Sequence, residues 1–162
     1  MLQRFLVSFF MLFFIAACGS APKEEAASAG SGLTSVDYTS DGIKAGSADD
    51  LIINVGDRVF FDFASHELTN DAQELLQAQA AWLKQYSNVS ITVEGHCDER
   101  GTREYNIALG ERRAQAMKNY LIGLGVSAGR VSTLSYGKER PAVLGSSEAA
   151  WGQNRRAVAV VN

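Results

Sequence analysis

The sequence predicts an α/β (α+β) two-layer sandwich in which two helices cover one sheet. Three observations carry that expectation. Apolar residues recur at period 2 in several short segments and at a helical period in two longer ones; the two kinds alternate from residue 51 to residue 162; and no repeat of about 20 to 50 residues marks a solenoid. Such alternation favours layers of helix on sheet. Residues 51–55 and 58–63 read as strands, the second apolar on both faces and therefore central in the sheet. A helix follows over 70–86, with Asn70 as N-cap and Gln73 as its capping-box partner. Its apolar positions Ala72, Leu75, Leu76, Trp82, Leu83 and Tyr86 fall on one face. Val89, Ile91 and Val93 alternate with Ser90, Thr92 and Glu94, which marks a strand with one buried face. After a polar loop over 95–102, a second helix spans 104–124 on a stripe of Ile107, Ala114, Met117, Leu121 and Leu124, and Gly125 stops it. Residues 131–136 form a strand, 141–145 a loop, 147–151 one helical turn and 157–161 a last strand, so the order is β-α-β-α-β with a further strand.

The composition is that of one ordinary domain: of 162 residues, 46% are hydrophobic and 20% charged, which argues against wholesale disorder and against a multi-span membrane protein. The formal net charge is −3 and no basic block stands out, so nucleic acid is not an expected partner. The start of the chain is different in kind. Arg4 precedes an apolar run over 5–17, too short for a span of about 20 residues, and small residues Ala16 and Ala17 lead to Cys18. Residues 1–17 therefore read as a secretory signal. Ile15-Ala16-Ala17-Cys18 resembles a bacterial lipobox, in which the cysteine thiol takes a diacylglyceryl group and becomes the new, acylated N-terminus. Three acyl chains at about 0.8 kcal/mol per buried methylene would hold the protein on a bilayer. Gly19, where Asp is associated with inner-membrane retention, implies sorting to the outer membrane. Residues 18–50 are then a lipidated terminus and tether rich in Ala, Ser and Gly, averaging roughly 30 Å end to end. Residues 51–162 are the folded domain. Cys97, left without Cys18, is expected to be buried.

The densest chemistry lies in Glu94-Gly95-His96-Cys97-Asp98-Glu99-Arg100-Gly101-Thr102 and the helix that follows. A loop from a strand end into a helix N-terminus is a favoured ligand position. Asp98 sits in the loop, and Arg113 lies about two and a half turns into the helix, near the side of Asn106 and Gly110. Held apart, they suit a zwitterion, Asp98 taking an ammonium and Arg113 a carboxylate. The same spacing also allows Asp98 and Arg113 to pair with each other, or Asp98 to cap the helix.

Gly95-His96-Cys97-Asp98-Glu99-Arg100-Gly101, with Asn106, Leu109 and Arg113-Ala114, resembles the peptidoglycan-binding signature of OmpA-like domains. Residues 135–145, Ser-Tyr-Gly-Lys-Glu-Arg-Pro-Ala-Val-Leu-Gly, and 154–158, Asn-Arg-Arg-Ala-Val, are similar to the lipoprotein branch of that family; the resemblance covers 59–161. It implies two main helices packed on one mixed sheet, and a site in which Asp98 and Arg113 grip the zwitterionic end of diaminopimelate in the peptidoglycan stem peptide. Asn106 would orient the loop or touch the ligand, the backbone at Leu109 would offer amides, Phe63 would line the wall, and Arg100 belongs to the same set. The resemblance further implies a lipid anchor at Cys18 in the outer membrane, a domain facing the periplasm, partnership with TolB and other Tol proteins, and a part in drawing the envelope inward at division. Ala64 stands where the family often has Asp or Asn, and Cys97 where it has a small residue. Asn154, Arg155 and Arg156 either approach the pocket or form a polar strand start. Replacing Asp98 or Arg113 by Ala is expected to abolish wall binding without unfolding the domain.

Enzymatic readings are weaker. His96 and Cys97 are neighbours on an extended segment, so their side chains diverge and no catalytic thiol is expected. His66, His96 and Cys97 lack metal-ligand spacing, so neither a metal nor a cofactor is expected. Glu94, Asp98 and Glu99 form no recognisable acid/base pair, which leaves a wall-modifying enzyme as the alternative to a noncatalytic wall-binding tether.

Overall fold

The computed structural model describes residues 42–162. The signal segment, Cys18 and most of the tether lie outside the described residues. Packing against the domain begins before Leu51. Ser47 caps a short helix α1 (Ala48–Asp50), and a wider helical turn, Leu51–Val55, continues it. The sequence suggested a strand there, but Leu51 and Val55, four apart, turn toward the core while Ile52 and Ile53 are 49% and 62% exposed. Asp50, buried, fixes the segment by accepting from Trp82 Nε1 at 3.0 Å and from the Gly46 N–H at 2.8 Å.

The remaining elements are β1 (Arg58–Phe60), α2 (Asn70–Gln85), β2 (Ile91–His96), α3 (Arg103–Gly123), β3 (Val131–Gly137), α4 (Glu148–Asn154) and β4 (Arg156–Val161). The sheet is mixed, in the order β1-β4-β2-β3, with β2 and β3 parallel across α3 and the other two pairings antiparallel. Two helices on one mixed sheet is the fold the sequence indicated. β1, however, is a short edge strand, not a central one. Val59 and Phe61 point into the core, but Phe60 between them is 41% exposed, so apolar residues on both faces did not mean burial on both.

The core joins the inward residues Val59, Ile91, Val93, Ala157 and Ala159 of the sheet to Leu76 and Leu83 of α2 and Ala114, Met117 and Leu121 of α3. Thr69, one residue earlier than expected, caps α2 by accepting from the Ala72 N–H at 3.2 Å. Gln73 does not complete a capping box; its side chain donates to the Leu68 carbonyl at 3.1 Å. At the other end of α2, Arg130 donates to the carbonyls of Leu83, Tyr86 and Val89 at 2.7 to 2.8 Å, satisfying groups that a helix end leaves open.

Glycines let α3 lie directly on β2. A Cβ at Gly95 would collide with the Gly110 carbonyl, and one at Gly110 would strike Ser135 Oγ. This close approach brings the first two turns of α3 beside the loop that leaves β2.

Candidate functional site

β2 delivers the chain out of the sheet at His96, and residues 97–102 form a loop that ends at Thr102, the N-cap of α3, whose hydroxyl accepts from the Tyr105 N–H at 3.2 Å. Asn106, fully within the protein, locks this loop to the helix by donating through Nδ2 to the carbonyls of Arg100 at 2.8 Å and Thr102 at 3.1 Å. A cavity of about 240 Å³ opens between the loop, α3 and the segment after β1. Phe63, Asp98, Arg100, Asn106, Leu109 and Arg113 all line it, together with Ala64, Cys97 and Tyr105.

Asp98 and Arg113 do not pair with each other. Arg113 is 0% exposed and donates to three backbone carbonyls, Ser65 at 2.8 Å, His96 at 2.8 Å and Asp62 at 3.1 Å. It thereby ties the segment after β1 to the end of β2. A guanidinium has five N–H groups, so one remains on each terminal nitrogen. Arg113→Ala would strand three carbonyls, so the substitution bears on stability as well as on ligand binding.

Asp98 is 5% exposed, and its partners are Arg100, at 2.6 Å from Nη2 to Oδ2, and Arg155, at 3.5 Å. Burial alone would push its carboxyl up, but the side-chain and backbone hydrogen bonds of Arg100 outweigh this and hold it below the usual carboxylate range. The Arg100 guanidinium lies between two rings, 4.2 Å from the centroid of Phe63 and 4.0 Å from that of Trp151. α4 therefore backs Arg100, which lines the cavity. Its Trp151 donates Nε1 to Glu99 at 3.0 Å, and its Glu148 holds Arg155 at 2.6 Å.

Of the three residues left open at the start of the last strand, only Arg155 reaches the pocket carboxylate. Asn154 instead fixes the loop before α4, accepting from the N–H groups of Ala142 and Val143 and donating to the Val143 carbonyl. Trp151, Glu148 and Tyr105 were not anticipated. Tyr105 stands seven residues after Asp98, in the first turn of the helix that the same motif feeds, and could have been flagged, whereas nothing local in the sequence puts Trp151 against Arg100.

The OmpA family profile matches residues 60–158, which spans the loop, both main helices and α4. The chain belongs to the OmpA family. Within it, a peptidoglycan-associated lipoprotein of Brucella melitensis is 54% identical over 117 residues, covering 72% of this chain and 70% of that protein. One of Rhizobium meliloti is 46% identical over 156 residues, covering 96% of this chain and 86% of that one. Among solved structures, the crystal structure of the peptidoglycan-associated lipoprotein from Burkholderia pseudomallei is 45% identical with a TM-score of 0.64, covering 65% of this chain and 90% of that one. The C-terminal domain of Helicobacter pylori MotB, at 24% identity and a TM-score of 0.61, shares the fold, with 65% of this chain and 84% of that domain covered.

Two motif residues of this OmpA domain face away from one another. His96 lies on the sheet face opposite the main helices, stacked on Tyr136 with ring centroids 5.5 Å apart. Cys97 lines the cavity, buried, its thiol donating to the Asn106 carbonyl at 3.3 Å. Burial pushes that thiol up, away from the reactive thiolate.

Proposed function

We propose that this chain is a noncatalytic, peptidoglycan-binding lipoprotein of the outer membrane that ties the membrane to the cell wall. The observation that carries the reading is the cavity at the end of β2, where a buried carboxylate and a buried guanidinium face a shared space without neutralising each other. Asp98 would take the ammonium and Arg113, through its two remaining N–H groups, the carboxylate of the diaminopimelate end. Phe63 and Leu109 would cover the aliphatic part of the ligand, Asn106 holds the loop in register, and Arg100 controls access to Asp98. The names borne by the relatives, peptidoglycan-associated lipoproteins, support the same reading.

The anchor is Cys18, which takes a diacylglyceryl group on its thiol, becomes the N-terminus on removal of residues 1–17 and is then N-acylated, with the domain in the periplasm on a tether. Each wall contact can be weak, because the lipid confines the domain beside a polymer of repeating sites and raises the effective concentration. TolB and the other Tol proteins are the proposed protein partners, acting with this chain in envelope integrity and in drawing the outer membrane inward at division.

Co-sedimentation of the purified full-length protein with sacculi tests the site. Asp98→Ala is expected to abolish pelleting while the circular dichroism melt persists; full pelleting of that variant would rule out Asp98 as the ligand carboxylate. Muropeptide composition should be unchanged after incubation with the wild-type protein, and release of new fragments would favour a wall-modifying enzyme instead. Cys18→Ser should leave the chain unprocessed and unlipidated, visible as a mass and fractionation change.

A further inference from the structure

Among the described residues, four donors already face the Asp98 carboxylate. A carboxylate offers about four lone-pair sites. Oδ1 faces the Arg100 backbone N–H at 3.1 Å and Arg100 Nε at 3.3 Å, while Oδ2 faces Arg100 Nη2 at 2.6 Å and Arg155 Nη1 at 3.5 Å. An ammonium that binds Asp98 must therefore replace a donor already there.

The donors differ in how firmly they are held. Arg155 is anchored elsewhere, by Nε to the Phe61 carbonyl at 3.1 Å and by Nη2 to Glu148 at 2.6 Å, and its side chain is 10% exposed. The Arg100 backbone is fixed by the loop, since its carbonyl accepts from Asn106. The Arg100 side chain is the displaceable candidate: it is 32% exposed, and among the described residues its hydrogen bonds all go to Asp98. A second acceptor stands nearby, Glu148 Oε2 at 3.9 Å from Nη1. Between the two carboxylates the guanidinium is flanked on both faces by the rings of Phe63 and Trp151, a slot along which it can slide without losing its cation–π contacts.

We infer that Arg100 is a displaceable internal occupant of Asp98, and that a ligand ammonium enters by driving its guanidinium along the Phe63–Trp151 slot onto Glu148. The inference rests on the diaminopimelate reading of the pocket and adds Glu148 and Trp151 of α4 as positioning residues. Its chemical consequence is selectivity. A ligand end that lacks a cationic amine cannot replace the charge that leaves Asp98, so a free ammonium is required to open the site.

Isothermal titration of the purified full-length protein with two N-acetylated stem tripeptides tests this, one carrying diaminopimelate and one carrying 2-aminopimelate, which lacks the side-chain amine. Arg100→Met keeps an unbranched chain between the rings but removes every donor. It is expected to tighten the amine-bearing peptide about three- to tenfold, with the amine-free peptide unchanged. Glu148→Gln should weaken the amine-bearing peptide by a similar factor and again spare the other. Equal binding of the amine-bearing peptide by Arg100→Met would overturn the displacement, and weaker binding would overturn it and make Arg100 a direct ligand contact, while wild-type binding keeps the diaminopimelate reading intact. Failure of the wild-type protein to bind either peptide would remove both. Should Arg100→Met not fold, Glu148→Gln decides alone, and an unchanged affinity there overturns the proposal.

Discussion

Ala64 has φ +52°, in the left-handed region that a β-carbon disfavours. It stands between Phe63, on the pocket wall, and Ser65, whose carbonyl receives Arg113 Nε at 2.8 Å. The strain is tolerated because the Arg113 contacts on either side fix the turn. Ala64→Gly relieves it, and after the entropy that glycine adds to the unfolded chain a gain of about 0.5 kcal/mol is expected, read as a rise in the urea midpoint at constant slope. Arg113 works in the opposite sense. Its removal leaves the carbonyls of Asp62, Ser65 and His96 without a donor, and Arg113→Ala should cost about 3 kcal/mol of unfolding free energy, measured by the same urea titration. A loss below about 1 kcal/mol would mean that water replaces the guanidinium and that its structural part is small.

The contact of α3 with β2 sets the site at the level of elements. Gly95 and Gly110 bring backbone against backbone, and the depth of that contact determines where Leu109 and Arg113 meet the loop. Gly110→Ala has to push the helix off the strand, since the obstructions are the Ser135 hydroxyl and the Gly95 carbonyl. The expected cost is about 2 to 3 kcal/mol, as for overpacking a core. Wall binding should fall along with stability, because the loop and helix lose register together. A melting temperature within a degree or so of wild type would show that the interface can open without strain. α4 is seated differently, by charge and ring contacts: Glu148 to Arg155 and Trp151 against Arg100. Substitutions there are expected to move ligand affinity more than melting temperature.

For the molecule as a whole, His96 makes stability depend on pH. Burial, with the Arg156, Arg140 and Arg58 charges nearby, pushes its imidazole from 6.5 down to about 4. Between those two values the unfolded chain takes up a proton that the folded protein refuses, so stability falls as pH drops from about 6.5 toward 4. The loss reaches about 3 kcal/mol, a large share of the stability of an ordinary domain. Urea unfolding at pH 7, 5.5 and 4 should record it, and His96→Phe should flatten the dependence over that window. The same slope in the variant would assign the acid sensitivity to other groups.

The alternation of period 2 with helical period was enough to fix the layers, because each element must bury its apolar side and only one partner face is available. The loop motif was legible for a similar reason: Asp98, Asn106, Leu109 and Arg113 lie close along one strand–loop–helix unit, so local geometry nearly determines their meeting. The amino-acid order alone did not reveal the edge position of β1 or the helical turn at Leu51–Val55. Apolar, β-branched residues satisfy either state, and the choice depended on which sides the rest of the chain covers. Nor did it reveal that Arg113 is already committed to three carbonyls, or that Arg100, Trp151 and Glu148 guard the carboxylate. Those contacts join residues about 20 to 50 positions apart, and only the packing of α4 and of the segment after β1 against the loop brings them within reach.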